Sequence, residues 1–360
     1  MTSTTVAHTP PVVTVGVDTH SDLHVAVALD QLGRRLGELT IPTTPSGYRR
    51  LEQWAQELGD LSALGIEGTG SWGAGLVRHL RAGGHRIVEV NRPDRSARRR
   101  QGKNDTLDAE AAARAVLAGM ATSVPKAGEG HVEMIRSLQL VRRSAQKARS
   151  QATNQLRALL VTAPAGLREE LRSLTLTELL RLAARWRSGA EPGTHLAVCK
   201  HALRSLARRH QQLTEEITDL DHHLTRLVTE VAPNLIAVKG LGPLTSAALL
   251  VAVGDNPDRL RSESAFAHLC GVAPVPASSG KTSRYRLNRG GDRQANYALY
   301  ILAVTRMAWD PRTRAYAARR RSEGKTTKEI IRCLKRHIVR EIYRLLVPLP
   351  TTPETATAPS

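Results

Sequence analysis

Short apolar runs alternate with amphipathic stretches over the first third of the chain. Three β-strands are predicted, from VVTVGVD, LHVAVALD and RRLGELTIP. The short links between them predict an antiparallel meander. SGYRRLEQWAQEL predicts a helix with Ser46 as its N-cap. Then ALGIEG predicts a strand, SWGAGLVRHLRAGG a helix and RIVEVN a strand, and a further helix begins near Asp105. This order predicts an α/β fold with a mixed sheet covered by helices.

The middle of the chain is helical in pattern. Apolar residues recur at steps of three and four through IRSLQLVRRSAQKARSQATNQLRALL and through LRSLARRHQQLTEEITDLDHHLTRLV. Two long antiparallel helices follow, and the spacing fits either a coiled-coil seam that pairs with a second subunit or two ordinary bundle helices. Beyond them, IAVKGLGPLTSAALLVAVG resembles a helix–hairpin–helix, in which a glycine turn directs backbone N–H groups at a nucleic-acid phosphate. Lys239, Gly240 and Gly242 are its candidate contacts.

These patterns predict a domain organisation. Residues 1–11 and 347–360 are polar and proline-rich and are expected to be disordered. Between them we expect a mixed-sheet domain over 12–125, a helical coiled-coil region over 130–230 and a mostly helical C-terminal domain over 231–346.

Composition narrows the class of partner. The 360 residues carry 52 Lys and Arg against 33 Asp and Glu, a net charge of +19, so a polyanion is the expected partner. No stretch approaches the roughly 18 to 20 apolar residues of a membrane span, and the N-terminus lacks a secretory pattern. The three cysteines are far apart and form no zinc motif. A cytoplasmic nucleic-acid protein is the prediction, although few aromatic residues are present for base stacking.

Four carboxylates form the strongest chemical signal. Asp18 and Glu67 each end a predicted buried strand, and Asp105 and Asp108 share the first turn of a predicted helix. Such a group would repel itself unless divalent cations held it together, and two Mg²⁺ ions ~4 Å apart can clamp a reacting phosphodiester. Each acid alone also fits a structural role as helix cap, dipole partner or arginine partner. The histidines, with His20 and His24 beside the first hairpin, predict no metal cluster.

A glycine pattern next to Glu67 suggests a competing function. GTGSWG, residues 68–73, matches GxGxxG between a strand and a helix, and Glu89 follows at the distance seen in dinucleotide folds. Three features argue against a dinucleotide site. The unit begins with a meander and not with a βαβ, a charged residue precedes the first glycine, and the chain is strongly cationic. We expect these glycines to let substrate backbone approach Glu67.

A serine in PVPASSGKTSRYRLNRGG is the candidate nucleophile. Ser279 precedes a glycine and a run of cations that would stabilise charge on a phosphoryl transition state. Ser278 is an equal neighbour on the residues alone, and a plain polar loop also fits. The candidate phosphate-binding cations are Arg98, Arg99, Arg100, Lys103, Lys281, Arg284, Arg286, Arg289 and Arg293.

These motifs together resemble a known family. The four acids resemble the acidic tetrad of the DEDD transposases of the bacterial insertion-sequence-one-hundred-and-ten family. They stand in VGVDTHSDLHVAV, IEGTG and KNDTLDAEAAA. VKGLGPLTSAALL, SAFAHLCGVAPVPASSGK and GGDRQANYALY resemble that family's C-terminal domain, and Ser279 falls at the position of its nucleophilic serine. The resemblance covers about Val12 to Leu346.

The resemblance implies a function and partners. It implies a RuvC-like (RNase H) fold for the first domain, Mg²⁺ held by the tetrad, and DNA strand exchange through a phosphoserine linkage. It also implies dimers or tetramers with a composite site and, in some members, a structured bridge RNA as guide. Two alternatives stay open: a RuvC-like metal nuclease that hydrolyses junctions with water, and a non-catalytic nucleic-acid-binding protein.

Overall fold

The structure is a computed structural model that describes residues 10–91, 104–187, 193–280 and 282–347. The chain divides into two compact units. The first comprises Met1–Gly130 with Val253–Phe266, and the second comprises His131–Ala252 with Ala267–Ser360. Both predicted disordered termini lie largely outside the described residues. No helix in the described part is long and apolar enough to cross a membrane.

The first unit is built on a five-stranded mixed sheet in the order β3-β2-β1-β4-β5. The first three strands pair antiparallel, whereas β4 and β5 continue from β1 in parallel. The predicted meander and the mixed sheet are therefore confirmed. The strands are β1 Val12–Thr19, β2 Leu23–Leu29, β3 Arg35–Pro42, β4 Asp60–Glu67 and β5 Ile87–Val90.

Two helices, α1 Pro45–Leu58 and α2 Ala74–Ala82, cover one face of this sheet. Helix α1 begins at Pro45 and not after Ser46, because Pro45 presets the helical φ and the Thr44 side chain accepts a hydrogen bond from Gly47 N at 3.2 Å. The Ser46 cap prediction is therefore wrong. Alternate residues of the central strand face these helices and form the core with them, as Val13, Val15, Val17, Leu51, Leu76 and Leu80.

A third helix, α3 Asp105–Leu117, packs on the opposite face of the sheet. It comes unusually close, because the central strands offer glycines there. Gly16 and Gly65 are direct partners in the β1–β4 pairing. A Cβ added to Gly16 would lie 2.0 Å from the carbonyl oxygen of Ala109, and one added to Gly65 would lie 2.9 Å from that of Ala112. The two glycines thus form a seat into which the small residues of α3 fit.

The second unit is mostly helical. Its two long helices, α4 Gly130–Val161 and α7 His195–Val231, run antiparallel, as the Arg142–Asp221 ion pair and the 3.5 Å Arg149–Thr214 hydrogen bond show. Their pairing with a second subunit stays a prediction. The remaining elements along the chain are α5 Ala165–Leu171, α6 Leu176–Arg185, α8 Pro233–Ile236, α9 Pro243–Val253, α10 Glu263–Leu269, β6 Val275–Pro276, β7 Tyr285–Arg286, α11 Arg293–Trp309, α12 Pro311–Ser322 and α13 Thr327–Leu346.

The glycine seat predicts the effect of a single methyl group. Gly16→Ala forces α3 away from the sheet, and such overpacking typically costs about 1–3 kcal/mol. We expect the Tm to fall by roughly 2–10 °C. The matched control is Gly70→Ala in the same unit, where a Cβ meets nothing within 4 Å. Differential scanning calorimetry of the two variants measures the effect, and an equal Tm for both would contradict the close seating of α3.

Candidate active site

Asp18, the penultimate residue of β1, and Glu67, the last residue of β4, lie side by side at the carboxyl ends of two neighbouring inner strands. The parallel pairing of Val17 with Ile66 puts Asp18 and Glu67 one residue further along neighbouring strands. Each acid follows a seat glycine by two residues, so strand alternation directs both toward the face that α3 covers. Both residues are buried, at 7% and 8% exposure.

The other two predicted acids come from the first turn of α3. Asn104 is the N-cap, since its side-chain oxygen accepts a hydrogen bond from Thr106 N at 3.0 Å. Asp105 is therefore the first helical residue and not the cap. Asp108 and Ala109 lie one turn further along the same stripe of the helix, and Asp108 is 5% exposed. The fit of this stripe against the sheet brings both aspartates toward Asp18.

A histidine joins the cluster. His20 Nε2 lies 3.2 Å from Asp18 Oδ2 and 3.3 Å from Asp105 Oδ2, and one ligand atom from each of the three residues lies within 4.8 Å of the others. The structure thus places a histidine in a group that could hold a metal ion, which the sequence did not predict. His20 follows Asp18 by two residues, but its approach to Asp105 arises from contacts across about 85 residues, which local sequence does not reveal.

The electrostatics of the cluster fit a cation. Burial is the largest influence on Asp18 and raises its pKa above the ordinary 3.8, and the nearby charges of Asp108 and Asp105 raise the pKa further, whereas His20 lowers it. Carboxylates crowded in this way are stabilised by a divalent ion, and oxygen ligands of this kind suit Mg²⁺. Glu67 and Asp108 lie outside the three-residue group, but Glu67 lines a cavity of about 500 Å³ together with Asp18 and His20.

The glycine-rich loop after β4 holds the floor of this cavity in place. Thr19 Oγ1 donates to the Glu67 carbonyl at 2.9 Å, and Gly68 adopts a φ of +64°. The N–H groups of Ser71 and Gly73 both donate to the Gly68 carbonyl, at 2.9 and 3.1 Å. These amides are used within the loop, whereas a dinucleotide site would direct them at a pyrophosphate. The loop geometry thus disfavours the dinucleotide alternative.

The candidate serine belongs to the second unit, where it lies at the tip of the β6–β7 hairpin. Ser279 pairs with Thr282 through two backbone hydrogen bonds of 3.1 and 3.2 Å, and Gly280 turns the chain with a φ of +55°. The Ser278 hydroxyl oxygen accepts a hydrogen bond from Arg284 N at 3.1 Å. Ser279 is exposed, and no described residue forms a hydrogen bond with its side chain.

The predicted phosphate contacts are distributed unevenly. Arg98, Arg99, Arg100, Lys103 and Lys281 lie outside the described residues. Arg284 and Arg286 are exposed on the serine hairpin, and Arg289 and Arg293 follow it. In the predicted helix–hairpin–helix, Gly240 turns with a φ of +94° and nothing lies within 4 Å of a Cβ on Gly242. The Lys239 ammonium lies 4.2 Å from the centre of the Trp309 ring, and α8 has only four residues, so the motif stays a prediction.

Comparison with known proteins identifies the relatives of this chain. A family model for DEDD transposases of the IS110 type matches residues 15–163, and a model described as the transposase IS116/IS110/IS902 family matches residues 232–318. The first match contains the acidic cluster and the second contains the serine hairpin. Because the two matches together span more than half of the chain, the chain belongs to the IS110 family of insertion-sequence transposases.

Individual relatives agree with this assignment. The 43.6 kDa protein of insertion element IS110 from Streptomyces coelicolor is 33% identical over 32% of this chain and 29% of its own length. The 42 kDa protein of IS900 from Mycobacterium paratuberculosis is 30% identical over 43% of this chain and 39% of its own. The chain thus spans well under half the length of these two relatives. The IS117 mini-circle protein of S. coelicolor is 25% identical over 86% of this chain and 87% of its own length.

The acidic cluster predicts metal-dependent stabilisation. Mg²⁺ or Mn²⁺ should raise the Tm of the protein, by the equivalent of about 2.7 kcal/mol when free metal is 100-fold above its Kd. Asp18→Asn should abolish this increment, because it removes a buried anionic ligand. Asp22→Asn, at an exposed acid in the turn between β1 and β2, should keep the metal-dependent increment in Tm. Differential scanning fluorimetry with and without metal measures the effect, and an unchanged increment in Asp18→Asn would exclude the site.

Proposed function

We propose that this protein is the transposase of an insertion sequence and that it cuts and joins DNA strands at a divalent-metal site in its first unit. One observation carries the proposal: ligand atoms of Asp18, His20 and Asp105 converge within 4.8 Å inside the segment that matches the DEDD transposase model. The mixed sheet order supports a RuvC-like fold for this unit.

Asp18, Glu67, Asp105 and Asp108 are the proposed ligands of Mg²⁺, with His20 as a further ligand or as a group that holds Asp18 and Asp105 in position. When bound, the metal would stabilise the negative charge that develops on the phosphodiester during strand cleavage. The protein's own contribution is to hold Asp105 and Asp108, in the first turn of α3, near the strand residues Asp18 and Glu67. The cavity that Asp18 and Glu67 line leaves room for a phosphate.

Ser279 is the proposed nucleophile. Its Oγ would form a bond to phosphorus while the bond from phosphorus to one ester oxygen breaks, and the serine proton leaves as that oxygen departs as a hydroxyl. The hairpin favours Ser279 over Ser278, because the Ser278 oxygen already accepts a hydrogen bond from Arg284 N. Arg284, Arg286, Arg289 and Arg293 would hold the phosphate backbone.

The proposed partners are nucleic acids and further copies of the chain. DNA and a structured guide RNA are proposed because the net charge of +19 suits two polyanions. A dimer or tetramer with a composite site, assembled in the cytoplasm, is proposed from the family resemblance. A metal nuclease that uses water in place of serine is the second candidate function, favoured by the fact that Asp18, His20 and Asp105 all belong to the first unit.

The covalent step distinguishes these functions. Wild-type protein incubated with DNA of the element's ends and Mg²⁺ should give a protein–DNA adduct that survives denaturing electrophoresis. Ser279→Ala should abolish the adduct and keep DNA binding, whereas Ser278→Ala should retain the adduct. An adduct lost only in Ser278→Ala would move the nucleophile, and nicked DNA without an adduct would favour the nuclease. DNA binding that is indifferent to the acids, with no cleavage, would favour a non-catalytic protein.

A guide RNA predicts a discrete nucleic-acid species in the purified protein. Sequencing of RNA that copurifies with the protein expressed from its own element should recover one structured transcript encoded beside the gene. Its loops should contain segments complementary to the DNA that is joined. Recovery of only random cellular RNA, in proportion to its abundance, would contradict a guide.

A further inference from the structure

The second unit contains a large cationic groove apart from the serine hairpin tip. A cavity of about 870 Å³ lies between the segments 271–274 and 285–289, on either side of the serine loop, and helices α12 and α13. A second cavity of about 510 Å³ adjoins it along α11, and the two share Gly271, Asn288, Arg289, Asn296 and Lys335 in their walls. We call these two cavities together the strand groove.

The charge of the strand groove is one-sided. Its walls carry cationic side chains from four elements, and none of the described residues that line it is acidic. Arg286, Arg289 and Arg293 have no ion-pair partner among the described residues. Arg319 and Arg320 share one acid, Glu323, outside the lining. A wall with this excess of positive over negative side chains favours a bound anion.

A half-buried lysine, Lys335, belongs to a hydrogen-bond network at the floor of the groove. Lys335 Nζ donates to Asn296 Oδ1 at 2.8 Å, and Asn296 Nδ2 in turn donates to the carbonyls of Cys270 and Gly271 at 2.8 and 3.1 Å. Lys335 has a neutral partner there, and burial, followed by the charge of Arg332, lowers its pKa below the usual 10.5. A phosphate beside it would restore the balance of charge.

An aromatic platform lies at one end of the groove. Tyr297 and Tyr300 on α11 stack with ring centroids 6.2 Å apart and planes at 24°, and they are 60% and 41% exposed. Both line the smaller cavity beside Arg289 and Arg293. The chain is poor in aromatic residues, but the fold places two of them together where an unpaired base could stack.

We propose that the strand groove binds an unpaired strand of nucleic acid, with its phosphates along Arg289, Arg332 and Lys335 and a base on the Tyr297–Tyr300 platform. The two cavities, of about 870 and 510 Å³, each have the size of a small-ligand site, so each has room for a nucleotide or two, which favours an unpaired strand over a duplex. The inference deepens the proposed function, because it rests on nucleic acid as the substrate class. It names the unpaired strand, RNA or DNA, as the form that the second unit binds.

The test uses the full-length protein and fluorescently labelled 12-mers of single-stranded RNA, single-stranded DNA and duplex DNA, measured by anisotropy over a series of salt concentrations. The double variant Arg289→Ala/Arg332→Ala should weaken single-strand binding, and its log–log salt slope should fall by about 1.4, from about 0.7 per lost phosphate contact. The control Arg312→Ala/Arg344→Ala changes net charge equally at exposed arginines outside the groove lining and should leave the slope unchanged.

The platform is tested separately. Tyr297→Ala/Tyr300→Ala should weaken single-strand binding by roughly 5- to 100-fold, as expected for loss of base stacking, and leave duplex binding unchanged. Cys333 provides a footprint, because it lines the groove and is partly exposed whereas Cys199 and Cys270 are buried. A bound single strand should slow its alkylation in the wild-type protein but not in the arginine double variant. Circular dichroism and Tm confirm that each variant is folded.

The outcomes separate this inference from the proposed function. Stronger binding of RNA than of DNA, or the reverse, identifies the natural strand and supports the inference. Equal loss of single-strand and duplex binding in Tyr297→Ala/Tyr300→Ala, or no loss of single-strand binding in Arg289→Ala/Arg332→Ala beyond the Arg312→Ala/Arg344→Ala control, would overturn it even if the serine adduct forms. If the groove variants lose single-strand binding while wild-type protein gives no adduct, the inference stands and the proposed chemistry fails.

Discussion

The approach of α3 to the sheet governs the geometry of the first unit. Gly16 and Gly65 face each other on β1 and β4, and only the absence of their side chains allows the backbone of α3 to lie so close. Each of these strands carries an acid two residues after its glycine, Asp18 on β1 and Glu67 on β4. A helix seated on glycines therefore brings its own first-turn aspartates to the strand ends, and the position of the acidic cluster follows from packing.

Bringing these carboxylates together costs electrostatic free energy. The packing of α3 on the β-sheet holds Asp18 near Asp105 and Asp108. Burial is the main cause that raises the pKa of Asp18. Burial of the apolar core on the opposite face of the sheet, rich in valine and leucine, stabilises the fold. This stabilisation offsets the repulsion among the crowded carboxylates. Trapped carboxylates of this kind are pre-organised for a cation, since the ligands need not be ordered when the ion binds.

The sequence predicted the sheet more completely than the site. The meander and the alternating elements followed from period-two and period-3.6 patterns, and acids at predicted strand ends made Asp18 and Glu67 candidate metal ligands. His20 was missed because its contact with Asp105 depends on the seating of α3, which two glycines in separate strands determine. Ser46 was misassigned because proline at the next position upstream shifts the helix start. The strand groove was also invisible, since its cations and tyrosines come from separate helices and converge only in the folded unit.

A structure with bound Mn²⁺ tests the central claim most directly. Anomalous difference density from crystals grown with Mn²⁺ should show an ion between the carboxylates of Asp18 and Asp105, with α3 in contact with Gly16 and Gly65. Density elsewhere, or an α3 displaced from the glycine seat with the acids directed apart, would contradict the account.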